Sequence, residues 1–301
     1  MSLVDLYESA RAMGWSLIHF LWQGTLIALT LELGLLGLRK SSVELRYMVR
    51  CAALVLMAAA PALTFWFLRA SDAPALEAPI AAQGGAWVGE LWLVATTVAW
   101  SIGAGLFGAR LCRDCLRIRR LHGAAAGTVL PSAWQVRFDR LATALGTRAL
   151  ARVVDSAALS APTVIGFVKP VVLIPARVLT GLTQDQIEAL MAHELAHVMR
   201  HDFIVNLLQA ALEALLFYHP AVWWVSKGIR AEREYCCDDV AVRVTTDRVS
   251  YARALTTLES WRGRELQVGM STLGGSLMQR IQRLLGHQAG APARRPLSIL
   301  G

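Results

Sequence analysis

Charge is scarce in this chain. Lysine, arginine, aspartate and glutamate make up 17% of its 301 residues, while 55% are hydrophobic. An ordinary soluble domain carries roughly a quarter charged residues, so part of the chain belongs in lipid. Cysteine is sparse as well. The five thiols, Cys51, Cys112, Cys115, Cys236 and Cys237, form an odd set without a regular framework. That argues against a secreted disulfide scaffold and for a reducing compartment around the soluble part. No basic segment precedes the first apolar run and no small-residue cleavage site follows it, so it reads as an uncleaved anchor rather than a signal peptide. Internal repeats are absent. The net charge of +8 would suggest nucleic acid in a soluble protein. Here the basic residues flank apolar runs, membrane topology accounts for them better, and no direct nucleic-acid partner is expected.

Three stretches are long and apolar enough to span a bilayer, at about 13–38, 51–68 and 87–111. The second contains Pro61, which a membrane helix tolerates. Arg39, Lys40, Arg46 and Arg50 against Glu44 lie between the first two runs, and only Arg69 against Asp72 and Glu77 between the next two. Arg110, Arg113, Arg117, Arg119 and Arg120 against Asp114 follow the third. The positive-inside rule then puts the N-terminus outside and everything after the third span in the cytoplasm. Within the first span, His19, Gln23 and Glu32 are either functional groups or packing contacts between helices.

From about residue 121 the pattern changes to α+β. Pro131–Leu145 reads as a helix; Ala151–Asp155, Thr163–Gly166 and Val171–Ile174 read as short strands. Gly166 and Pro170 suggest a hairpin or an irregular edge. Thr183-Gln184-Asp185-Gln186 resembles a capping box and opens a helix. The predicted division is a membrane region at 1–120, a second domain at 121–286 and a linker-like tail at 287–301, rich in Ala, Pro and Arg.

That helix carries His193-Glu194-Leu195-Ala196-His197. Histidines at i and i+4 share a face, so both imidazoles can hold one Zn²⁺ at roughly 2.0–2.1 Å. Water on such a zinc has its pKa lowered to about 7, and Glu194 is placed to take its proton as general base. The five-residue pattern is only moderately specific, because an amphipathic helix with two surface histidines also produces it. A catalytic zinc needs three protein ligands and an open position. The candidate third ligand is Glu234, in Glu234-Tyr235-Cys236-Cys237-Asp238. Glu234 and Asp238 also stand at i and i+4, so one can ligate while the other accepts an N–H from a metal-bound imidazole.

The apolar run Phe203–Ser226 tests this pairing. As a fourth span it would put His197 and Glu234 on opposite sides of the membrane. His219-Pro220 interrupts it, and two antiparallel helices of about 15 residues would rise and return roughly 23 Å. The run is therefore read as a hairpin, buried or lying at the membrane surface.

These residues resemble the integral-membrane metallopeptidases typified by the Bla-type and Mec-type β-lactam-sensing antirepressor signal transducers. The similarity extends over roughly residues 12–286. It takes in Ile18-His19-Phe20-Leu21-Trp22-Gln23-Gly24, Arg46-Tyr47, Gly166 to Pro175, His193–His197 with Asp202, Glu234 to Asp238, and Tyr251-Ala252-Arg253-Ala254-Leu255. The resemblance implies three transmembrane helices followed by a gluzincin-like cytoplasmic zinc peptidase domain at the inner membrane. It implies one zinc per chain held by His193, His197 and Glu234, a protein or peptide substrate, and signalling by cleavage of a repressor or of the protease itself. It allows a homodimer in the membrane. The sensor members continue into another span and a penicillin-binding domain. This sequence ends at Gly301 without a Ser-x-x-Lys motif, so β-lactam sensing is not expected of these residues.

Weaker signals remain open. Cys112-Arg113-Asp114-Cys115 is a CxxC that reads either as incidental thiols or as half of a metal or redox site. His219, Tyr251 and Arg253 are oxyanion candidates by residue type alone. The strand near Thr163–Gly166 is either an ordinary edge or a platform for an extended substrate. A prenyl-type or housekeeping endopeptidase shares the two motifs, but the short hairpin between them here argues against its longer arrangement. A non-catalytic transducer would not need Glu194. A transporter would spread polar residues over several spans rather than collect them in the first.

Overall fold

The computed structural model describes residues 3–70, 83–124, 128–154, 161–166, 170–265 and 274–286. The predicted tail at 287–301, Asp155 and the acidic pair Asp72 and Glu77 lie outside these. The chain divides into two compact units, Met1–Arg117 with Val205–Glu232, and Ile118–Ile204 with Arg233–Gly301. The sequence division, by contrast, kept 205–232 within 121–286.

The first unit is all helix. α1 (Leu3–Gly37), α2 (Val43–Ala70) and α3 (Gln83–Ala124) each contain a segment long and apolar enough to cross a membrane. Each helix extends beyond its predicted span, because the charged flanks are good helix formers that continue it into water. Their exposure is the inverse of a soluble protein's. Trp22, Leu29, Leu33, Leu56, Trp66 and Leu106 lie on the outside, a lipid-solvated surface. Polar contacts lie between helices instead. Ser16 donates to the Pro61 carbonyl at 2.5 Å, and Gln23 donates to Thr64 Oγ1 at 3.1 Å. Gln23 is thus a packing contact. The run Phe203–Ser226 is interrupted as expected. α7 (Asp202–Leu215) is followed by a break and then α8 (Pro220–Thr245). Fourteen residues of α7 rise about 21 Å, short of the roughly 30 Å hydrocarbon core. Pro220 occupies the first position of α8, where its missing N–H costs nothing.

The second unit holds a four-stranded sheet in the order β1-β2-β4-β3. β1 is Thr128–Val129, β2 Leu150–Val154, β3 Thr163–Ile165 and β4 Val171–Pro175. β2 and β4 are parallel, with Arg152 opposite Leu173. β3 runs antiparallel to β4, with Val164 opposite Val172. The three predicted strands match to within a residue or two. β1, antiparallel to β2, is too short for any alternation to appear in the sequence. β4 is buried along its whole length, as its unbroken Val-Val-Leu-Ile run demands. Helices α4 (Ser132–Ala144), α5 (Ala176–Gly181), α6 (Gln184–Met199), α9 (Arg248–Glu265) and α10 (Gly274–Leu284) complete the unit. Phe138 of α4, Ile174 of β4, Ile187, Met191 and Leu195 of α6, Leu255 of α9 and Leu284 of α10 share one core.

α6 starts where its capping box predicts. The Gln186 N–H donates to Thr183 Oγ1 at 3.4 Å, and the Thr183 N–H donates to Gln186 Oε1 at 2.9 Å. Replacing Thr183 with alanine should cost about 1 kcal/mol, seen as a lower midpoint of thermal unfolding followed by circular dichroism in detergent.

Candidate metal centre

Five helices, α6 to α10, bring the site together. His193, Glu194 and His197 lie in the last two turns of α6. The two imidazoles are 4.8 Å apart between centroids and nearly perpendicular. His201 then takes a left-handed conformation, φ 54°, which ends the helix in the manner of an αL cap. The chain turns back, and Asp202, at the start of α7, places Oδ2 2.8 Å from His197 Nδ1. From α8, Glu234 Oε2 stands 3.5 Å from His193 Nε2 and Oε1 3.8 Å from His197 Nε2. Asp238, one turn further along α8, reaches the other nitrogen of His193, with Oδ1 3.2 Å from Nδ1. Tyr251 of α9 joins that side. Its hydroxyl is 2.9 Å from His193 Nδ1 and donates to Asp238 Oδ1 at 2.6 Å.

Each imidazole is therefore held from behind at Nδ1 by a buried carboxylate, while its Nε2 faces Glu234. The ligand atoms of His193, His197 and Glu234 all lie within 4.8 Å of one another. Two imidazoles and a carboxylate, with both unused ring nitrogens already bonded, suit a divalent transition metal with its outer partners in place. His197, Asp202 and Cys237 form a second close group among the described residues. Its contacts fall on the Nδ1 side of His197, with Cys237 Sγ 3.3 Å from Nδ1 and donating to Asp202 Oδ2 at 3.3 Å. Burial and the Asp202 charge push the Cys237 thiol well up, so it acts as a hydrogen-bonding neighbour and not as a thiolate.

The carboxyls are split by their surroundings. Burial raises Glu194 above the usual carboxylate range, against the opposing pull of His197 and His193. Burial would raise Glu234 too, but its contact with His193, together with Arg280 and His197, brings it down to about 2. Desolvation alone would lower His193; Asp238 and Glu234 override it and hold the imidazole at about 9. Burial and the Asp238 charge push the Tyr251 phenol up, keeping it protonated.

The sequence reading missed Arg280. It projects from α10 into the network and is mostly buried. Its Nε and Nη2 donate to both oxygens of Asp238 at 2.9 and 2.6 Å, and Nη2 also donates to Tyr251 at 3.1 Å. Its Nη1 lies 3.1 Å from Glu234 Oε2. Arg283, one turn on, pairs with Asp239 at 2.5 Å. Arg280 has no motif around it and stands 42 residues after Asp238, so no local signal marks it. Asp202 appeared in the sequence only as part of the resemblance, without a role. Of the oxyanion candidates, Tyr251 is fully buried and its hydroxyl is engaged behind His193. Arg253 is exposed. His219 belongs to the other unit, where its Nε2 donates to the Leu21 carbonyl at 3.0 Å.

Two measurements follow from this geometry. Arg280→Met leaves the fully buried Asp238 without its cation, a change that costs about 3–5 kcal/mol. Urea denaturation should show the loss, whereas Arg253→Ala should stay within about 0.5 kcal/mol of the parent. Metal binding requires a neutral imidazole, and His193 sits at about 9, so below that pH each ion bound displaces a proton. Zinc affinity, measured by chelator competition between pH 6 and 8, should rise by about tenfold per pH unit and level off above 9. Glu234, already ionised throughout that window, contributes nothing to the slope.

Comparison with known proteins agrees with the geometry. The profile of the family described as BlaR1 peptidase M56 matches residues 91–284, more than half of the chain. The regulatory protein BlaR1 of Bacillus licheniformis is 24% identical over 149 residues, which cover 47% of this chain and 24% of that protein. The methicillin resistance mecR1 proteins of Staphylococcus aureus and Staphylococcus epidermidis are 29% identical over 83 residues, covering 28% of this chain and 14% of theirs. The chain thus spans about a quarter or less of the length of the curated relatives it matches. The matched region contains both histidines, both motif glutamates, Asp238, Tyr251 and Arg280, and on that match the chain belongs to the BlaR1 peptidase M56 family.

Proposed function

We propose that the protein is a membrane-bound, gluzincin-like zinc endopeptidase that cleaves a protein substrate at the cytoplasmic face of the membrane. The observation that carries this reading is the convergence of His193 Nε2, His197 Nε2 and Glu234 on one point, with Asp238 and Asp202 behind the two rings. His193, His197 and Glu234 would hold the ion. When bound, zinc supplies Lewis acidity that polarises a scissile carbonyl and acidifies a water.

The remaining chemistry belongs to this chain's own side chains. Burial raises Glu194 above the usual carboxylate range, the direction that favours a group meant to accept a proton. It takes a proton from the attacking water and returns it to the leaving amine. Glu234, held low, stays ionised as ligand. Asp202 and Asp238 fix the ring orientations. Arg280 offsets the charge of Glu234 and Asp238 together. β3 ends the sheet order, and an extended peptide can add to such an edge by main-chain hydrogen bonds.

The basic residues Arg39, Lys40, Arg46 and Arg50 support an N-terminus outside and a cytoplasmic peptidase. Signalling by cleavage of a repressor, or by self-processing, fits the family, as does pairing of two copies in the membrane. The retained Glu194 weighs against a purely structural transducer.

The test is zinc content and proteolysis, self-cleavage included, of detergent-purified protein beside two variants. The parent should bind about one zinc per chain and cut. Glu194→Ala should keep its zinc and lose about 10²–10⁴-fold in cleavage. Glu234→Ala should lose zinc. Cleavage unchanged in Glu194→Ala would remove the general-base assignment, and no zinc in the parent would remove the whole reading.

A further inference from the structure

We infer that α7 and the first half of α8 form a re-entrant hairpin, which dips to the middle of the bilayer and returns to the side it entered from. Its partner is the acyl-chain layer of one leaflet. It rests on contacts within the first unit and does not depend on the metal chemistry.

Depth comes from the tip, Leu216–His219. Tyr218 donates to the Leu17 carbonyl at 3.2 Å, and His219 Nε2 donates to the Leu21 carbonyl at 3.0 Å. Both acceptors lie near the middle of the α1 span, Val4–Gly37. On the other side Phe217 stacks on Phe107 at 5.2 Å. Phe107 and Gly103 are near the middle of the α3 span, Leu91–Arg117. The fit is close on both sides. A Cβ on Gly24 would meet the His219 ring at 2.7 Å, and one on Gly103 would meet the Phe217 ring at 2.1 Å. Those two positions must be glycine for the tip to seat.

Length sets where the arm emerges. Pro220 to Glu232 rises about 20 Å, enough to clear the roughly 15 Å of half a hydrocarbon core. At that height Glu232 meets Arg46 at 3.0 Å and Arg50 at 4.0 Å. These are the charged residues of the first turns of α2, the end of that helix that must lie in or near water. A hairpin lying flat on the surface would bring its tip to residues at the ends of the spans, not at their middles.

The backbone of the tip carries the strongest argument. Irregular chain at mid-bilayer survives only when protein satisfies its polar groups. α7 ends with open carbonyls, and indoles supply the donors that water would give. Trp100 Nε1 donates to the Leu215 carbonyl at 2.8 Å, and Trp223 Nε1 donates to the Phe217 carbonyl at 2.7 Å. The start of α8 is covered too, with the Ala221 N–H donating to His219 Nδ1 at 3.1 Å. The polar side chains of the arms turn on each other. Glu213 accepts from Ser226 and from Arg230, and Gln209 donates to Ser226. Leu207, Leu208 and Leu215 point outward, as acyl chains require. Lys227 is the one exposed charge on the returning arm's described residues before Arg230, and its four-carbon stem lets the ammonium reach the interface.

The test uses the full chain in phosphatidylcholine vesicles, with a cysteine added at Leu208 or Leu215, each exposed, and labelled with an environment-sensitive fluorophore. Parent protein gives the labelling background. Quenching of the Leu215→Cys label should be stronger by a lipid nitroxide deep in the acyl chain than by one near the headgroup. The Leu208→Cys label should shift toward the shallow quencher. Shallow quenching at both overturns the proposal in favour of a surface hairpin. A second pair, Asn206→Cys and Lys227→Cys, guards against a misfolded tip. Labelling of the two by an impermeant maleimide from opposite sides of sealed vesicles would mean a full crossing and overturn it equally; labelling from one side supports it. A protein that binds no zinc but shows deep quenching leaves this inference standing and removes the proposed activity.

Discussion

The second unit places a buried carboxylate behind each of two histidines, and the rest of the candidate site depends on that pairing. A partner at Nδ1 fixes an imidazole in the tautomer and orientation that offer Nε2 to a metal, and Asp202 and Asp238 stand in that position for His197 and His193. Taking a carboxylate out of water costs several kcal/mol even after relaxation. Asp238 is fully buried and is held ionised, below the usual carboxylate range, by His193 and Arg280 against its own desolvation. Remove the arginine and Asp238 would tend to protonate, and the ring it orients would be free to turn. α10 thus matters to a site with which it shares no motif. Its apolar residues Leu277, Ile281 and Leu284 join the core, and that packing positions Arg280.

The same electrostatics separates two glutamates that differ little in type. Burial raises Glu194 and outweighs the pull of His197, His193 and Arg280 on it. Glu234 faces both histidines and Arg280 and is lowered. Environments that push paired carboxyls apart suit them to different tasks, and the proposed function gives Glu234 the part that holds charge and Glu194 the part that exchanges protons. Arg280 serves this division twice, because the cation that stabilises Asp238 also keeps Glu234 charged.

What could be read from sequence was what depends on near neighbours. The capping box at Thr183, the strands of Val and Ile, the i and i+4 histidines and the i and i+4 acids each involve contacts within a turn or a pleat, so spacing alone located them. The interrupted run at His219-Pro220 was legible because proline lacks the N–H a continuing helix needs. Contacts between distant segments left no such trace. Arg280 sits in a helix whose sequence could serve any amphipathic surface. Tyr251 was visible as a residue but not as a partner of His193, 58 residues away. The sequence also left the hairpin open between a buried and a surface position, since an apolar run is equally suited to protein, interface or lipid.

α8 shows how one helix meets unlike demands through a simple spacing. Ser226, Arg230, Glu234 and Asp238 follow one another at intervals of four. An α-helix turns through 3.6 residues, so each step drifts about 40° around the axis instead of stacking. The first two residues reach Glu213 on α7; the last two reach His193 on α6. A strict seven-residue repeat would have kept all four in one seam. The four-residue interval lets the stripe wind along an unbroken helix of 26 residues, so that Ser226 and Arg230 face Glu213 while Glu234 and Asp238 face His193. A proline or glycine between Arg230 and Glu234 would break that phase, which is why the stretch Arg230-Ala231-Glu232-Arg233-Glu234 is made of strong helix formers.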